Sequence, residues 1–298
     1  MGIVTVDRHE SELGVWTSTA WTPAVRTPLS GAIERIWHFD GTLGAARERV
    51  FPDATLELIV QLDTPHRPGT DRPADPFPPL CVTGIRTTAE VVEAPPGRTR
   101  VLGLRLTPTA AFRLLGVGLT DLTACTVDLL DVIGRPALEF GTRVYTAGGG
   151  AAAVRAVAAW AEDRIAQGPA PDATVERALA KIRADGGARS LAELEAWQGR
   201  SRARFNAAFR EAVGVSPKRL ARIVRFDRAL RAIGTAHGSL STIAHAAGYY
   251  DQAHFTNEFR EHAGVTPRAY LHARRYPGGA NLVDEPEHDF EDLAAAAG

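Results

Sequence analysis

Apolar residues in the first third of the chain recur at every second position. Leu56, Leu58 and Val60 fall on one face of a strand, with Glu57, Ile59 and Gln61 on the other. Leu102, Leu104 and Leu106 do the same against Val101, Gly103 and Arg105. Runs of this kind at 33–40, 48–51, 56–62, 80–86, 89–93 and 99–107, punctuated by Pro, Gly and Asp, predict short strands. Residues 1–30 are polar and read as a lead-in with one strand near 14–19. The stretch 64–79 holds six prolines and reads as a mobile loop. After Pro108 the period changes to that of a helix, first in Ala111, Leu114 and Leu115 and then over 127–133 and 137–145. Gly148-Gly149-Gly150 breaks the pattern, and an Ala-rich helix over 151–166 follows with Val154, Val157 and Trp160 on one side. Asp172 caps a further helix that runs to Ala184, and Gly186-Gly187 releases the chain.

The last third contains an internal repeat. Ser201-Arg-Ala-Arg-Phe-Asn-Ala-Ala-Phe-Arg-Glu-Ala-Val-Gly-Val-Ser-Pro217 returns as Asp251-Gln-Ala-His-Phe-Thr-Asn-Glu-Phe-Arg-Glu-His-Ala-Gly-Val-Thr-Pro267. Two copies are too few for a solenoid, and each reads as a helix-turn-helix. Leu191, Leu194 and Trp197 mark a short apolar face in the first copy, Ile243 and Ala247 in the second, with Gly199 and Gly248 at the turns. Ser201 and Asp251 are N-caps of the second helix of each copy, and Phe205, Phe209, Val213, Phe255 and Phe259 point inward. Gly214 and Gly264 suit a left-handed helix end. Ser216 and Thr266 cap the next helix, and Pro217 and Pro267 occupy its first turn. Between the copies, 217–233 predicts a long helix with Leu220, Ile223, Val224, Leu230 and Ile233 as its apolar stripe and Gly234 at its end.

These residues resemble the AraC/XylS family of bacterial transcription regulators, whose DNA-binding module is two helix-turn-helix units joined by a long helix. The second copy carries the most specific part: Ile243-Ala-His-Ala-Ala-Gly-Tyr, Asp251-Gln-Ala-His-Phe, Glu258-Phe-Arg and Gly264-Val-Thr-Pro. The first copy departs from the family pattern, with Ala203 and Ala207 where larger polar residues are common and with Glu195 and Arg200 at positions usually small and apolar. In the first domain, Trp37-His-Phe-Asp, 48–60 and 101–108 are similar to the sensory domains of actinobacterial members of that family, which implies a cupin-like barrel.

Charge distribution agrees with a nucleic-acid partner. The chain as a whole carries −1, but 188–276 has 15 Lys/Arg against 7 Asp/Glu, a charge of +8. Residues 1–187 carry −3 and the tail from Pro277 carries −6. Only Lys181 and Lys218 among the basic residues are Lys, and Arg forms the better bidentate pairs with phosphate and guanine. Phosphate contacts are therefore expected from Arg202, Arg204, Arg210, Lys218, Arg219, Arg222, Arg260 and Arg268, and base contacts from Arg202, Asn206, Gln252, His254, Thr256 and Asn257.

Other chemistry finds little support. The nine histidines show no zinc-ligand spacing, so no metal site or cofactor is expected. No Gly-x-Ser-x-Gly, P-loop or paired catalytic carboxylate motif occurs, so no catalytic residue is assigned. Trp37, Glu57 and Arg105 are candidates to line a barrel interior and bind an effector. Cys81 and Cys125 lack a Cys-x-x-Cys partner and read as buried, reduced thiols, with a redox-sensing pair as the alternative. There is no signal-peptide pattern and no apolar run near the ~18 residues of a membrane span, so a cytoplasmic protein is expected.

The expected fold class is α+β: an antiparallel β barrel or sandwich with following helices over 1–147, a helical connector over 148–187, the all-α double helix-turn-helix over 188–276 and an acidic, disordered tail over 277–298. The expected function is sequence-specific binding of double-stranded promoter or operator DNA under control of a small-molecule effector, without catalysis. RNA polymerase and a second copy of the chain are the further partners considered. The competing reading is a small-molecule enzyme or interaction domain fused to a degenerate DNA-binding module.

Overall fold

The computed structural model describes residues 2–11, 14–24, 30–43, 47–70, 74–188, 201–235 and 239–273. Alternation of apolar and polar residues organises its first half around two antiparallel sheets. The larger has seven strands in the order β1 (Gly2–Ser11), β2 (Gly14–Pro23), β3 (Ile33–Leu43), β9 (Thr99–Leu106), β5 (Leu56–Gln61), β7 (Leu80–Thr83) and β10 (Thr126–Asp128). The smaller is β4 (Arg47–Val50), β8 (Glu90–Glu93) and β6 (Arg67–Pro68).

One face of the large sheet is the core. Ile36, Leu56, Leu58, Val60, Val82, Leu102, Leu104 and Leu106 are fully buried there against the helices that follow. Those helices are α1 (Pro108–Leu115), α2 (Leu129–Ile133), α3 (Arg135–Ala147), α4 (Gly150–Gln167) and α5 (Ala173–Ala184). Pro108 stands in the first turn of α1, and Asp172 caps α5 by accepting the Thr174 N–H at 2.8 Å. The other face of the sheet, carrying the residues between, looks toward the smaller sheet.

The second half consists of α6 (Arg202–Val213), α7 (Pro217–Thr235), α8 (Leu240–Ala247), α9 (Gln252–Ala263) and α10 (Pro267–Ala273). The expected caps are in place. Ser201 accepts the Arg204 N–H, Asp251 that of His254 at 2.7 Å, Ser216 that of Arg219 at 3.3 Å and Thr266 that of Ala269 at 3.2 Å. Gly214 and Gly264 end α6 and α9 at φ of 93° and 75°, which L side chains rarely adopt. The short helix expected around Leu191, Leu194 and Trp197, its turn at Gly199, and the acidic tail lie outside the described residues, as do Glu195 and Arg200.

Several expectations are corrected. The lead-in contains β1, which pairs with β2 over ten register positions from Gly2↔Pro23 to Ser11↔Gly14. β1 is an edge strand largely open to solvent, so it has no buried face to impose apolar alternation on its sequence. The helix expected over 127–133 begins only at Leu129, because Val127 and Asp128 pair with β7 as part of β10 and pairing overrides local propensity there. The proline-rich 64–79 stretch contributes β6. The apolar stripe of α7 is centred on Phe226 and Ala229, both fully buried, while Val224 and Leu230 are only half-buried. Cys81 is buried, but Cys125 is exposed. Burial pushes the Cys81 thiol up to about 12. Cys125 sits beside Gly84 while Cys81 pairs in register with Asp128. That offset of three residues, about 3.3 Å each along the strand, places their α-carbons roughly 10 Å apart, beyond disulfide reach.

Two buried clusters hold the molecule together. The first runs from the large sheet through α1–α5 and continues into Phe205, Phe209, Val213, Leu220 and Ile223. The composition change at 187/188 is therefore not a break in packing. The second cluster joins Phe226, Ile233, Ile243, Phe255, Phe259 and Tyr270, and it includes Phe51 from the first half.

Candidate nucleic-acid interface and effector cavity

α6 and α9 bury the same positions of the repeat. Phe205 and Phe209 match Phe255 and Phe259, and all four are buried. The opposite faces are open: Arg202, Arg204 and Arg210 on α6, and Gln252, His254, Asn257 and Arg260 on α9, are exposed, with Asn206 and Thr256 half-buried. Lys218, Arg219 and Arg268 are exposed in the first turns of α7 and α10, where free backbone N–H groups also favour phosphate.

Three predicted contact residues, Arg222, His254 and Thr256, are partly engaged inside the protein. Arg222 pairs with Glu258 at 3.0 Å and with Glu261, tying α7 to α9. Glu258, 4% exposed, also receives Arg225 at 3.2 Å and lies 3.5 Å from the His254 ring. Arg225 in turn lies over the Tyr249 ring at 5.1 Å. Thr256 donates its hydroxyl to the Gln252 carbonyl of its own helix at 2.8 Å. Sequence reasoning placed Arg222 on the phosphate surface. The ion pairs join α7 to α9 through this residue, and the sequence spacing gives no sign of them.

The first half contacts α6 and α9 at the same end, the C-terminal one. At α6, Leu119 N–H donates to the Glu211 carbonyl at 2.7 Å, Thr120 Oγ1 to that of Arg210 at 3.1 Å and Thr123 Oγ1 to that of Gly214 at 2.8 Å. At α9, Arg49 Nη1 donates to the Ala263 carbonyl at 3.0 Å and Ala89 N–H to that of His262 at 2.6 Å. His262 Nδ1 donates to the Thr87 carbonyl at 2.7 Å, and burial lowers the His262 pKa. The carbonyls at a helix C-terminus lack intrahelical partners, so these contacts supply acceptors there with donors, although the Arg210 carbonyl also takes the Gly214 N–H at 2.7 Å.

A cavity of about 360 Å³ lies between the two sheets. The register of the large sheet arranges its wall in rows. Arg35, Arg105, Glu57, Thr83 and Thr126 form one row; Trp37, Gly103, Ile59 and Cys81 form the next; Phe39, Val101 and Gln61 a third. Trp37, Glu57 and Arg105, singled out from sequence, meet here. Trp37 Nε1 donates to Glu57 at 2.6 Å, and Arg105 pairs with Asp53 at 2.9 Å and Glu57 at 3.5 Å. Gly103 makes this possible, since a Cβ there would stand 2.3 Å from the Trp37 ring. The opposite wall includes Glu48, Val50 and Val92 of the small sheet, and Phe77 closes one side.

In the sequence, Glu48 stands out only as part of the family pattern over 48–60. It lines the cavity and is exposed by its accessible surface, with protein atoms crowded around it. Burial first, then the negative charge of Glu57, raises its carboxyl above the usual range. β4 thus has two working faces: Glu48 and Val50 line the cavity, while Arg49 and Phe51, the next residue, contact the second reader unit. Phe51 meets Tyr270 edge-on at 5.6 Å and Phe226 at 6.3 Å.

Residues 198–273 match the family model of a helix-turn-helix domain. Together with the paired readers and their caps, this decides the matter. The C-terminal module is an AraC-type helix-turn-helix domain. Such a domain binds DNA, so DNA is the partner of this part of the chain. Residues 24–128, which hold the cavity, match a domain of unknown function, DUF6597. No curated relative matches the chain. Among solved structures, the chain is similar to an apo point variant of ToxT from Vibrio cholerae, with 12% identity, 80% of this chain and 97% of that one covered and a TM-score of 0.43. A ToxT structure from the same organism bound to (E)-4-(8-methylnaphthalen-1-yl)but-3-enoic acid gives 12% identity, 78% and 98% coverage and a TM-score of 0.42. Among the described residues, no group of three or more His, Cys, Asp or Glu is placed to hold a metal ion, and no helix is long and apolar enough to cross a membrane.

Proposed function

We propose that the protein is a transcription regulator that reads duplex DNA with α6 and α9 and adjusts that reading according to what occupies the cavity between its sheets. The observation that carries this is the two-faced strand β4, which borders the cavity with Glu48 and Val50 and the AraC-type domain with Arg49 and Phe51. A molecule in the cavity has differential contacts with β4 in its possible positions, which is what a shift of equilibrium requires. Phosphate contacts come from Arg202, Arg204, Arg210, Lys218 and Arg260; base contacts come from Asn206, Gln252, His254, Thr256 and Asn257. Arg222 serves the geometry between units. α6, with Ala203 and Ala207 exposed, reads sequence weakly, and α9 supplies most of the discrimination.

The chain divides functionally at 187/188, the cavity side regulating and the other side binding. Self-association and contact with RNA polymerase belong to the same reading. The exposed edge strand β1, with Ile3 and Val6 open to solvent, is the surface offered to a second copy.

Footprinting of the full chain on its own upstream DNA tests the proposal. Two protected patches about one turn apart are expected. Affinity should fall steeply with salt, with a slope of about −0.9 per phosphate neutralised. Asn257→Ala should relax base preference at one position by roughly 1–3 kcal/mol, whereas Arg202→Ala should weaken all sequences alike. Salt-independent binding, or equal loss of discrimination from both changes, would defeat it.

A further inference from the structure

The charged groups of the cavity wall have partners close by, with two exceptions. Arg105 is held by Asp53 and Glu57, and Glu57 also takes the Trp37 indole N–H. Arg86 pairs with Glu90 at 3.1 Å. Gln61 accepts the His66 backbone N–H, and the Thr83 and Thr126 hydroxyls bond each other at 3.0 Å. Glu48 and Arg35 make no such bond among the described residues, either to a neighbour or to each other.

These two opposite charges stand in one cavity on facing sheets. Arg35 lies in the charged row of the large sheet, beside Arg105, and Glu48 is on β4 of the small sheet opposite Val92. Among the described residues no ion pair joins them. Both side chains are exposed, so water satisfies them in the free protein, and a molecule bearing the complementary charges can take the place of that water. Beyond them the wall turns apolar: Trp37, Phe39, Ile59, Phe77 and Val101. A volume of about 360 Å³ lies at the small end of the range for ligand pockets.

We infer that the cavity takes a small zwitterion of the amino-acid kind, whose ammonium group pairs with Glu48, whose carboxylate pairs with Arg35, and whose apolar side chain lies on Trp37 and Phe39. The guanidinium suits a carboxylate through two parallel N–H donors. The ammonium is drawn to Glu48 and, through the ring faces, to the aromatic wall. The inference rests on the proposed function only in making this molecule the effector; binding itself is a separate matter.

Three matched probes separate the charges: phenylalanine, phenethylamine, which lacks the carboxylate, and 3-phenylpropionate, which lacks the ammonium. Calorimetric titration of the full chain should rank phenylalanine first. Glu48→Gln should weaken phenylalanine and phenethylamine by roughly tenfold to a hundredfold, the worth of a charge-assisted hydrogen bond, and leave phenylpropionate unchanged. Arg35→Gln should weaken phenylalanine and phenylpropionate and spare phenethylamine. Glu48→Gln is isosteric and removes an unpaired charge, so the unliganded variant should melt no lower than the parent; lost binding then cannot be ascribed to misfolding. The inference falls if no probe binds, if phenylpropionate binds as tightly as phenylalanine, or if Glu48→Gln weakens all three alike. DNA footprinting of the same preparation keeps the two failures apart. Footprints without probe binding overturn this inference alone, and absent footprints overturn the proposed function.

Discussion

Phe51→Ala should release the second reader unit from the first half of the chain without unfolding either. Phe51 is 9% exposed and sits in the cluster of Phe226 and Tyr270, although it directly follows β4 of the small sheet. Burying such a side chain contributes about 1.5–3 kcal/mol, and each ring pair adds about 0.5–1.5 kcal/mol. Part of the burial is against its own domain, so about 3 kcal/mol is a fair figure for the docking alone. This is about a hundredfold shift toward the undocked form. Hydrogen exchange across 252–273 reads it directly. The amides of Ala89 and of the α9 C-terminal turn should exchange faster in the variant, while those of β5 and β9 in the large sheet should not change. The thermal transition should broaden or split, because the second cluster would melt separately from the first. DNA binding should survive and lose its response to the cavity ligand. Unchanged exchange in 252–273, or a uniform acceleration over the whole chain, would refute the idea that Phe51 couples the two halves.

Gly103→Ala should displace the Trp37 ring, break its bond to Glu57 and shift tryptophan fluorescence; an unchanged emission spectrum would show that the ring has room to move. The docked state should weaken in mild acid. The folded pKa of His262 lies below its ordinary 6.5, so its contribution is present above that pH and is lost as pH falls below it toward the folded value. His38 and His66 are lowered by burial too, so the test is His262→Gln, which should flatten the pH dependence of exchange at Ala89 and leave theirs. Val224→Pro, in the middle of α7, should cost about 3 kcal/mol or more and abolish the one-turn spacing of the footprint; an intact footprint would mean that the grip of the first half alone spaces the readers.

The elements most legible in the sequence were those whose burial is one-sided and local. Leu56-Leu58-Val60 and Leu102-Leu104-Leu106 each have a core face and a cavity face, and the alternation states both. The reader helices carry their own caps and inward phenylalanines, so the duplicated motif could be read without the rest of the chain. Three kinds of feature were not legible. β1 lies on an edge and buries too little to leave a pattern. Phe226 reads as one more apolar residue until Phe51, 175 positions earlier, is packed near it. Glu48 resembles any polar strand residue, because nothing in its neighbours reveals that the face it occupies is enclosed. Trp37, Glu57 and Arg105 were found because their strands alternate, but the bond between them depends on the absence of a side chain at position 103.

The division of labour on β4 also restricts how this chain can change over time. Its register on β8 sets Arg47 opposite Glu93 and Val50 opposite Glu90. Adding or losing one residue within β4 would rotate Arg49 into the cavity and turn Glu48 toward α9, disabling ligand and reader contacts together. Adding two would restore the faces. Relatives that keep this arrangement should differ in length here by even numbers, or hold their insertions to the flanking turn. Substitutions at 48 and 50 should track the ligand, and those at 49 and 51 the sequence at the end of α9. Four consecutive residues would then diversify as two interleaved sets, each answering to a different partner.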